Sequence, residues 1–244
     1  QVAQYIVLII AYLTPVIILS AKKFGMPIPQ ISYGQAIEQI GALEQSMLKQ
    51  GLADVKTLKL HATPFQIRDP LNYFLLILCL MVGTASLPHI LMRYFTTPSV
   101  REARKSVAWS LFFIFLLYFT APAYAAFAKL EVYSLINGKV AISDLGTKAA
   151  WLFTYGKYGL VKICGVNADL LQNVVAACGK IAGHPGILRH QDLVLHPDSI
   201  VLSTPEIAGL PYVVAGLVAA GGLAAALSTA DGLLLAIANA LSHD

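Results

Sequence analysis

"GTASLPHILMRYFTTPSVREARKSV", residues 83–107, lies between two apolar stretches and does two things that a continuous helix would not. Its first part breaks a helix. Gly83 is permissive, Thr84 and Ser86 carry hydroxyls, and Pro88 lacks a donor and clashes with the preceding turn. Its second part gathers Arg93, Arg101, Arg104 and Lys105 against the single acid Glu102. A break inside greasy sequence, followed at once by a knot of positive charge, is the pattern of a membrane helix interrupted on purpose. Broken backbone at membrane depth is tolerable only where it lines a cavity or finds protein partners. A kinked but continuous helix is the alternative.

The composition agrees with a bilayer as solvent. Of 244 residues 57% are hydrophobic and only 12% charged, with a mean hydropathy of +0.68. Soluble domains carry about a quarter charged residues. The net charge of +4 comes with no basic run interleaved with aromatics, so nucleic acid is not an expected partner. Crossing a bilayer by helix takes about 20 mainly apolar residues. Spans are predicted at 2–21, 71–91, 106–127 and 210–241. The expected fold class is all-α, a multi-pass membrane helix bundle.

Short loops rich in Lys and Arg stay on the cytoplasmic side. The link at 93–105 is therefore read as cytoplasmic, and the loops at 22–70 and 129–209 as outer. Lys22 and Lys23 run against this assignment. Both outer loops contain helical periodicity. Residues 33–51 place Ile37, Ile40, Leu43 and Leu48 on one side and end in Gly51; residues 168–183 repeat the pattern. Gln1 opens on an apolar segment and His243 and Asp244 follow another, so both ends are expected to be cuts in a longer protein.

The last span carries small residues every fourth position: Gly216, Ala220, Ala224, Ser228, Gly232, Ala236 and Ala240. Such a face lets a second helix approach closely. Within it, Ala225, Ser228 and Thr229 have a spacing that gathers one carbonyl and two hydroxyl oxygens at one spot. Hard cations such as sodium take oxygen ligands. Back-bonding of both hydroxyls to carbonyls four residues earlier is the competing reading. Asp231 is the acid inside a predicted span, which marks it for a functional role or an interfacial partner. His89, beside Pro88, is a candidate proton carrier or a structural hydrogen-bonder. Cys79 reads as a small buried hydrophobe. Cys164 and Cys178 share one loop and are either a disulfide or two free thiols. No CxxC pair or HExxH is present, so a zinc site is not expected.

The stretches "GTASLPHILMRYFTTPSVREARKSVAWS" and "AALSTADGLLLAIANALSHD" resemble the sodium:solute symporter family, and within it the acetate or monocarboxylate permease-like branch. The resemblance implies a leucine-transporter-type fold of two inverted five-helix repeats, with the spans here as core helices five to eight. It implies a sodium site using the Ala225 carbonyl and the Ser228 and Thr229 hydroxyls, completed by a helix that this chain lacks. It implies that Gly83, Thr84, Ala85 and Ser86 contact the substrate carboxylate. The function implied is sodium-coupled import of a small organic anion such as acetate, at the inner membrane, without enzymatic chemistry. No cofactor is expected beyond sodium as coupling ion. Expected partners are the lipid bilayer, the remaining helices of the same chain and a small membrane subunit. A symporter-like sensor domain of a signalling protein such as a histidine kinase is the alternative. An enzyme built on His89 and Asp231 has nothing to bring those residues together.

Overall fold

The computed structural model describes residues 2–88, 90, 91, 97–138 and 140–243, with the backbone alone for 2–5, 7, 8, 11 and 243. His89 and Arg93, singled out above, lie outside the described residues. The long helices are α1 (Val2–Phe24), α2 (Pro29–Lys49), α3 (Pro70–Ala85) and α4 (Val100–Ile136). Short elements follow: α5 (Leu145–Lys148), α6 (Ala150–Gly156), β1 (Val161–Ile163), β2 (Val166–Asn167), α7 (Leu171–Gly179), β3 (Leu193–Leu195) and α8 (Ser199–Ile207). The chain ends in α9 (Tyr212–His243). The structure is mostly helical, with one small antiparallel sheet in the order β2-β1-β3 that the sequence reading did not contain.

Two of the described helices, Val100–Ile136 and Tyr212–Ser242, are long and apolar enough to cross a membrane. α3 is apolar but shorter, and none of its residues is buried. Cys79 is therefore exposed on α3 and not a core residue. A helix that is apolar all round needs an apolar environment on every side.

α4 has 37 residues, about 55 Å at 1.5 Å per residue, well beyond a hydrocarbon core of about 30 Å. It starts on Ser99, whose side chain accepts from the Glu102 N–H, and runs through Pro122. Its first half is largely exposed, and its buried residues begin at Thr120. The predicted span stops at residue 127, whereas the helix continues past Lys129 and Glu131 to Ile136. Those charges are tolerated because each is paired: Lys129 with Glu44 at 2.8 Å, Glu131 with Lys23 at 3.2 Å.

The core lies in a cap made of α2, the end of α4 and residues 137–209. Ile40, Met47, Phe127, Leu130, Leu152 and Val161 are its fully buried centre. α2 packs along α4, and α1 packs along α9. α2 turns a different stripe inward from the one predicted. Ser32, Ala36, Ile40, Glu44 and Met47 are buried, while Ile37, Leu43 and Leu48 are only partly covered. Gly51 closes α2 as expected. Its φ of 69° is the left-handed value that follows a helix end, and the Leu52 N–H reaches back to the Met47 carbonyl at 2.9 Å.

Candidate functional site

The first candidate site is the end of α3. Regular helix stops at Ala85; Ser86 forms a turn, and helical backbone resumes by Ile90, whose N–H donates to the Leu87 carbonyl at 3.0 Å. The interruption read from Gly83 and Pro88 is therefore a break. The Thr84 hydroxyl donates to the Leu80 carbonyl at 2.6 Å and the Ser86 hydroxyl to the Gly83 carbonyl at 3.0 Å. Both hydroxyl oxygens keep free lone pairs. Gly83, Thr84, Ala85 and Ser86 are all exposed, and a Cβ added at Gly83 would meet nothing within 4 Å.

The second candidate site is on α9. The Thr229 hydroxyl donates to the Ala225 carbonyl at 3.1 Å. Ser228 and Ala225 are half-buried and Thr229 is exposed. The covered face of α9 runs through Val218, Gly221, Ala224, Ser228, Gly232 and Ala236. It matches the small-residue face from Ala224 to Ala236. Gly216, Ala220 and Ala240, assigned to that face at its ends, are exposed because a four-residue repeat drifts around a 3.6-residue helix. Asp231 is exposed, one helical position to the side of Ala224. Among the described residues the two candidate sites are not brought together: α9 packs on α1 and α8, and α3 packs extensively on no other element.

The cap positions the start of α9 through α8. Pro205, inside α8, has no N–H to offer the Val201 carbonyl, and the Tyr124 hydroxyl donates to it at 3.0 Å. The Tyr155 hydroxyl donates to the Leu202 carbonyl at 2.7 Å; burial raises its pKa, so it stays protonated as this role needs. Lys22, at the end of α1, donates to the Ala208 carbonyl that closes α8, at 2.7 Å.

Two charged clusters in the cap escaped the sequence reading. In the first, Glu44 of α2 is almost fully buried, pairs with Lys129 of α4 and accepts the His61 N–H on both oxygens at 3.0 and 3.1 Å. Lys129 also lies 4.8 Å over the Tyr133 ring. Nearby, His190 Nδ1 is buried with no hydrogen-bond partner among the described residues. Burial lowers the pKa of both His61 and His190, and Lys129 adds to the effect while Glu44 opposes it. Histidines with depressed folded values contribute stability that is present above their ordinary 6.5 and lost as pH falls through the folded value. Acidification from pH 7.5 to 5.5 is expected to lower the melting temperature. Replacing both histidines with glutamine should flatten that slope; a slope unchanged in the double variant would assign it elsewhere.

The second cluster surrounds a disulfide. Cys164 and Cys178 are joined, with Cα atoms 5.3 Å apart, which settles the alternatives left open above. Cys164 (φ 51°) and Gly165 (φ 82°) form the two-residue turn between β1 and β2, and positive φ at both positions is what such a turn requires. His184 Nε2 lies 4.0 Å from Cys164 Sγ and 3.0 Å from Asp192 Oδ2. The Gly186 N–H donates to His184 Nδ1 at 3.1 Å, so the ring proton of the neutral imidazole is on Nε2 and points at Asp192. Arg189 closes the set with two 2.9 Å bonds to Asp192, and these bonds with that from His184 hold the Asp192 carboxyl below its usual range despite its burial. Cys164, Cys178 and His184 approach as closely as metal ligands do. The donor set does not fit a metal. Both sulfurs are spent on each other, and the near nitrogen carries a proton.

The sequence model of the sodium:solute symporter family matches residues 28–152, just over half the chain. The chain belongs to this family. It is a family of membrane transporters, not enzymes. The matched region holds α2, the broken α3 and α4, and ends before α9. An "uncharacterized symporter" of Cupriavidus necator is 36% identical over 333 aligned positions, covering the whole of this chain and 46% of that protein. A "monocarboxylic acid transporter" of Corynebacterium glutamicum is 50% identical over 48 residues, 20% of this chain and 9% of that one. This symporter-family chain thus spans under half the length of the relatives it matches. No solved structure matches it.

Proposed function

We propose that the chain forms part of a sodium-coupled secondary transporter that imports a small monocarboxylate, acetate or a close relative, across the inner membrane by alternating access. The observation that carries the reading is the break in α3 inside the family-matched region. Discontinuous helices near the midplane are where secondary transporters hold substrates. A carboxylate at Gly83, Thr84, Ala85 and Ser86 would accept from the Thr84 and Ser86 hydroxyls once they turn from the Leu80 and Gly83 carbonyls, and from backbone N–H groups freed as the helix end opens. The relative from Corynebacterium glutamicum supports a monocarboxylate as the solute. Sodium would take the Ala225 carbonyl and the Ser228 and Thr229 hydroxyls, on a helix held closely against α1.

The cap is assigned to the outer side. Disulfides persist in oxidising compartments, and the Cys164–Cys178 bond is in the cap. Lys22 and Lys23, which opposed that orientation, are both engaged in cap contacts, with the Ala208 carbonyl and Glu131.

Uptake of labelled acetate into proteoliposomes, with and without a sodium gradient, tests the reading. Ser228→Ala/Thr229→Ala should raise the half-saturating sodium concentration by roughly tenfold or more, each lost oxygen ligand costing about 1 kcal/mol. Sodium-driven uptake with unchanged sodium dependence would remove this sodium site and leave the transporter. Absence of uptake of any short carboxylate under any gradient would remove the transport reading and favour the sensor.

A further inference from the structure

We propose that the Cys164–Cys178 bond is a reversible redox latch that fastens α7 to the cap and is opened by a small external dithiol. The geometry separates what the bond holds from what holds the cysteines. Cys164 is fixed without it. Its N–H donates to the Asp192 carbonyl at 2.8 Å, and its turn is held by β1, which pairs with β2 and β3. α7 is different. It has 9 residues, of which only Val174 and Cys178 are buried, and exposed chain follows it to Gly183. Cutting the sulfur–sulfur bond therefore frees the C-terminal end of α7, which Leu171 and Val174 hold only at its first turns, and leaves the rest of the cap in place.

The surroundings suit exchange chemistry. Cys164 is half-buried at a turn tip, whereas Cys178 is 3% exposed, so an incoming thiolate meets Cys164 Sγ. The new bond forms there, and the electron pair of the old one leaves on Cys178 Sγ, which takes a proton from water. The second thiol of the reagent, as its thiolate, then attacks its own sulfur in the mixed disulfide. Cys164 departs as a thiolate 4.0 Å from His184 Nε2, whose N–H, held on Asp192 Oδ2 while the disulfide is intact, swings to the new charge, and the thiolate is then protonated by water. The reagent is oxidised to its disulfide, and the cysteine pair gains two electrons and two protons. His184 acts by hydrogen bonding and is a positioning residue; it transfers no proton. Because Cys164 keeps its place in the hairpin and Val174 still anchors α7, Cys178 can return to it and the bond can re-form.

The test uses the full-length protein in detergent, titrated with mixtures of reduced and oxidised dithiothreitol. Thiols are trapped with a maleimide and assigned by mass spectrometry, with Cys79 as an internal reference. We expect Cys164 and Cys178 to appear and vanish together, reversibly. Amide exchange should rise at least tenfold over residues 171–183 and by less than twofold in β1 and β3. His184→Gln should slow reduction severalfold, and Asp192→Asn should do so less. A bond inert to millimolar dithiothreitol until the protein melts would overturn the latch and leave a structural staple. So would two free thiols in oxidised protein, or loosening of the whole cap on reduction. These readouts do not involve solute uptake, so the latch and the transport reading can fail separately.

Discussion

Replacing Gly156 with alanine is expected to destabilise the cap by about 4 kcal/mol, at the upper end of single-residue effects. A Cβ built there would stand 1.8 Å from the Ala168 carbonyl oxygen and 2.3 Å from its carbon. Backbone cannot rotate away as a long side chain can. Neither partner is free to retreat. Ala168 is fully buried and its N–H donates to the Val161 carbonyl at 3.0 Å. On the other side, Leu160 returns its N–H to the Tyr155 carbonyl at 3.2 Å, and Tyr155 is tied to α8. The energy at stake is comparable with the net stability of a small domain, about 5–15 kcal/mol. A fall in melting temperature on the order of 10 °C or more follows, with loss of Cys164–Cys178 pairing in newly made protein. Gly179→Ala is the control. It also ends a helix, but a methyl group at that position would meet nothing within 4 Å, and alanine suits a helix better than glycine by roughly 0.5–1 kcal/mol. A Gly156→Ala protein melting within a degree or two of the parent would mean that α6 and residue 168 are not in this close contact.

What was legible in the sequence is what local chemistry decides. The α3 break follows from Gly83 and Pro88, which act on their own turn wherever the chain goes. The end of α2 follows from Gly51 for the same reason. The small-residue face of α9 was readable over its middle turns and failed at the ends, where the drift of a four-residue repeat accumulates. Long-range pairing was not legible. Nothing near Lys129 in sequence announces Glu44, so a lysine and a glutamate after residue 127 read as the start of a loop, while their partners let α4 continue to Ile136. The sheet was missed because β1 has 3 residues and β2 has 2, too short for alternation to register. Glu44 on the buried stripe of α2 defeats a reading that sends charge outward; only its lysine and the two bonds from His61 make the position tenable.

That buried carboxylate gives the second large effect. Lys129→Met is expected to cost about 3 kcal/mol, because it leaves the Glu44 charge inside the cap without its cation. The figure is taken at the low end of the usual range for breaking a buried pair, since the Lys129 side chain is 22% exposed and partly solvated. Glu44→Gln should cost less, about 1 kcal/mol. The amide can still accept from the His61 N–H, and the lysine left behind can reach water. The double variant removes both charges and should be less harmful than the sum of the two, with a coupling of at least about 1 kcal/mol in a double-mutant cycle. Additive losses would show that the pair is a solvated contact and not a buried clasp. The position matters for function because the loop held by Glu44 through His61 leads into α3. Loosening the clasp frees the approach to the broken helix, so Lys129→Met should also raise amide exchange over residues 58–68. The α8–α9 junction, held separately through Tyr124, Tyr155 and Lys22, should keep the parent's protection. A clasp that acts on one candidate site and spares the other would make the cap two independent mounts, one for each site.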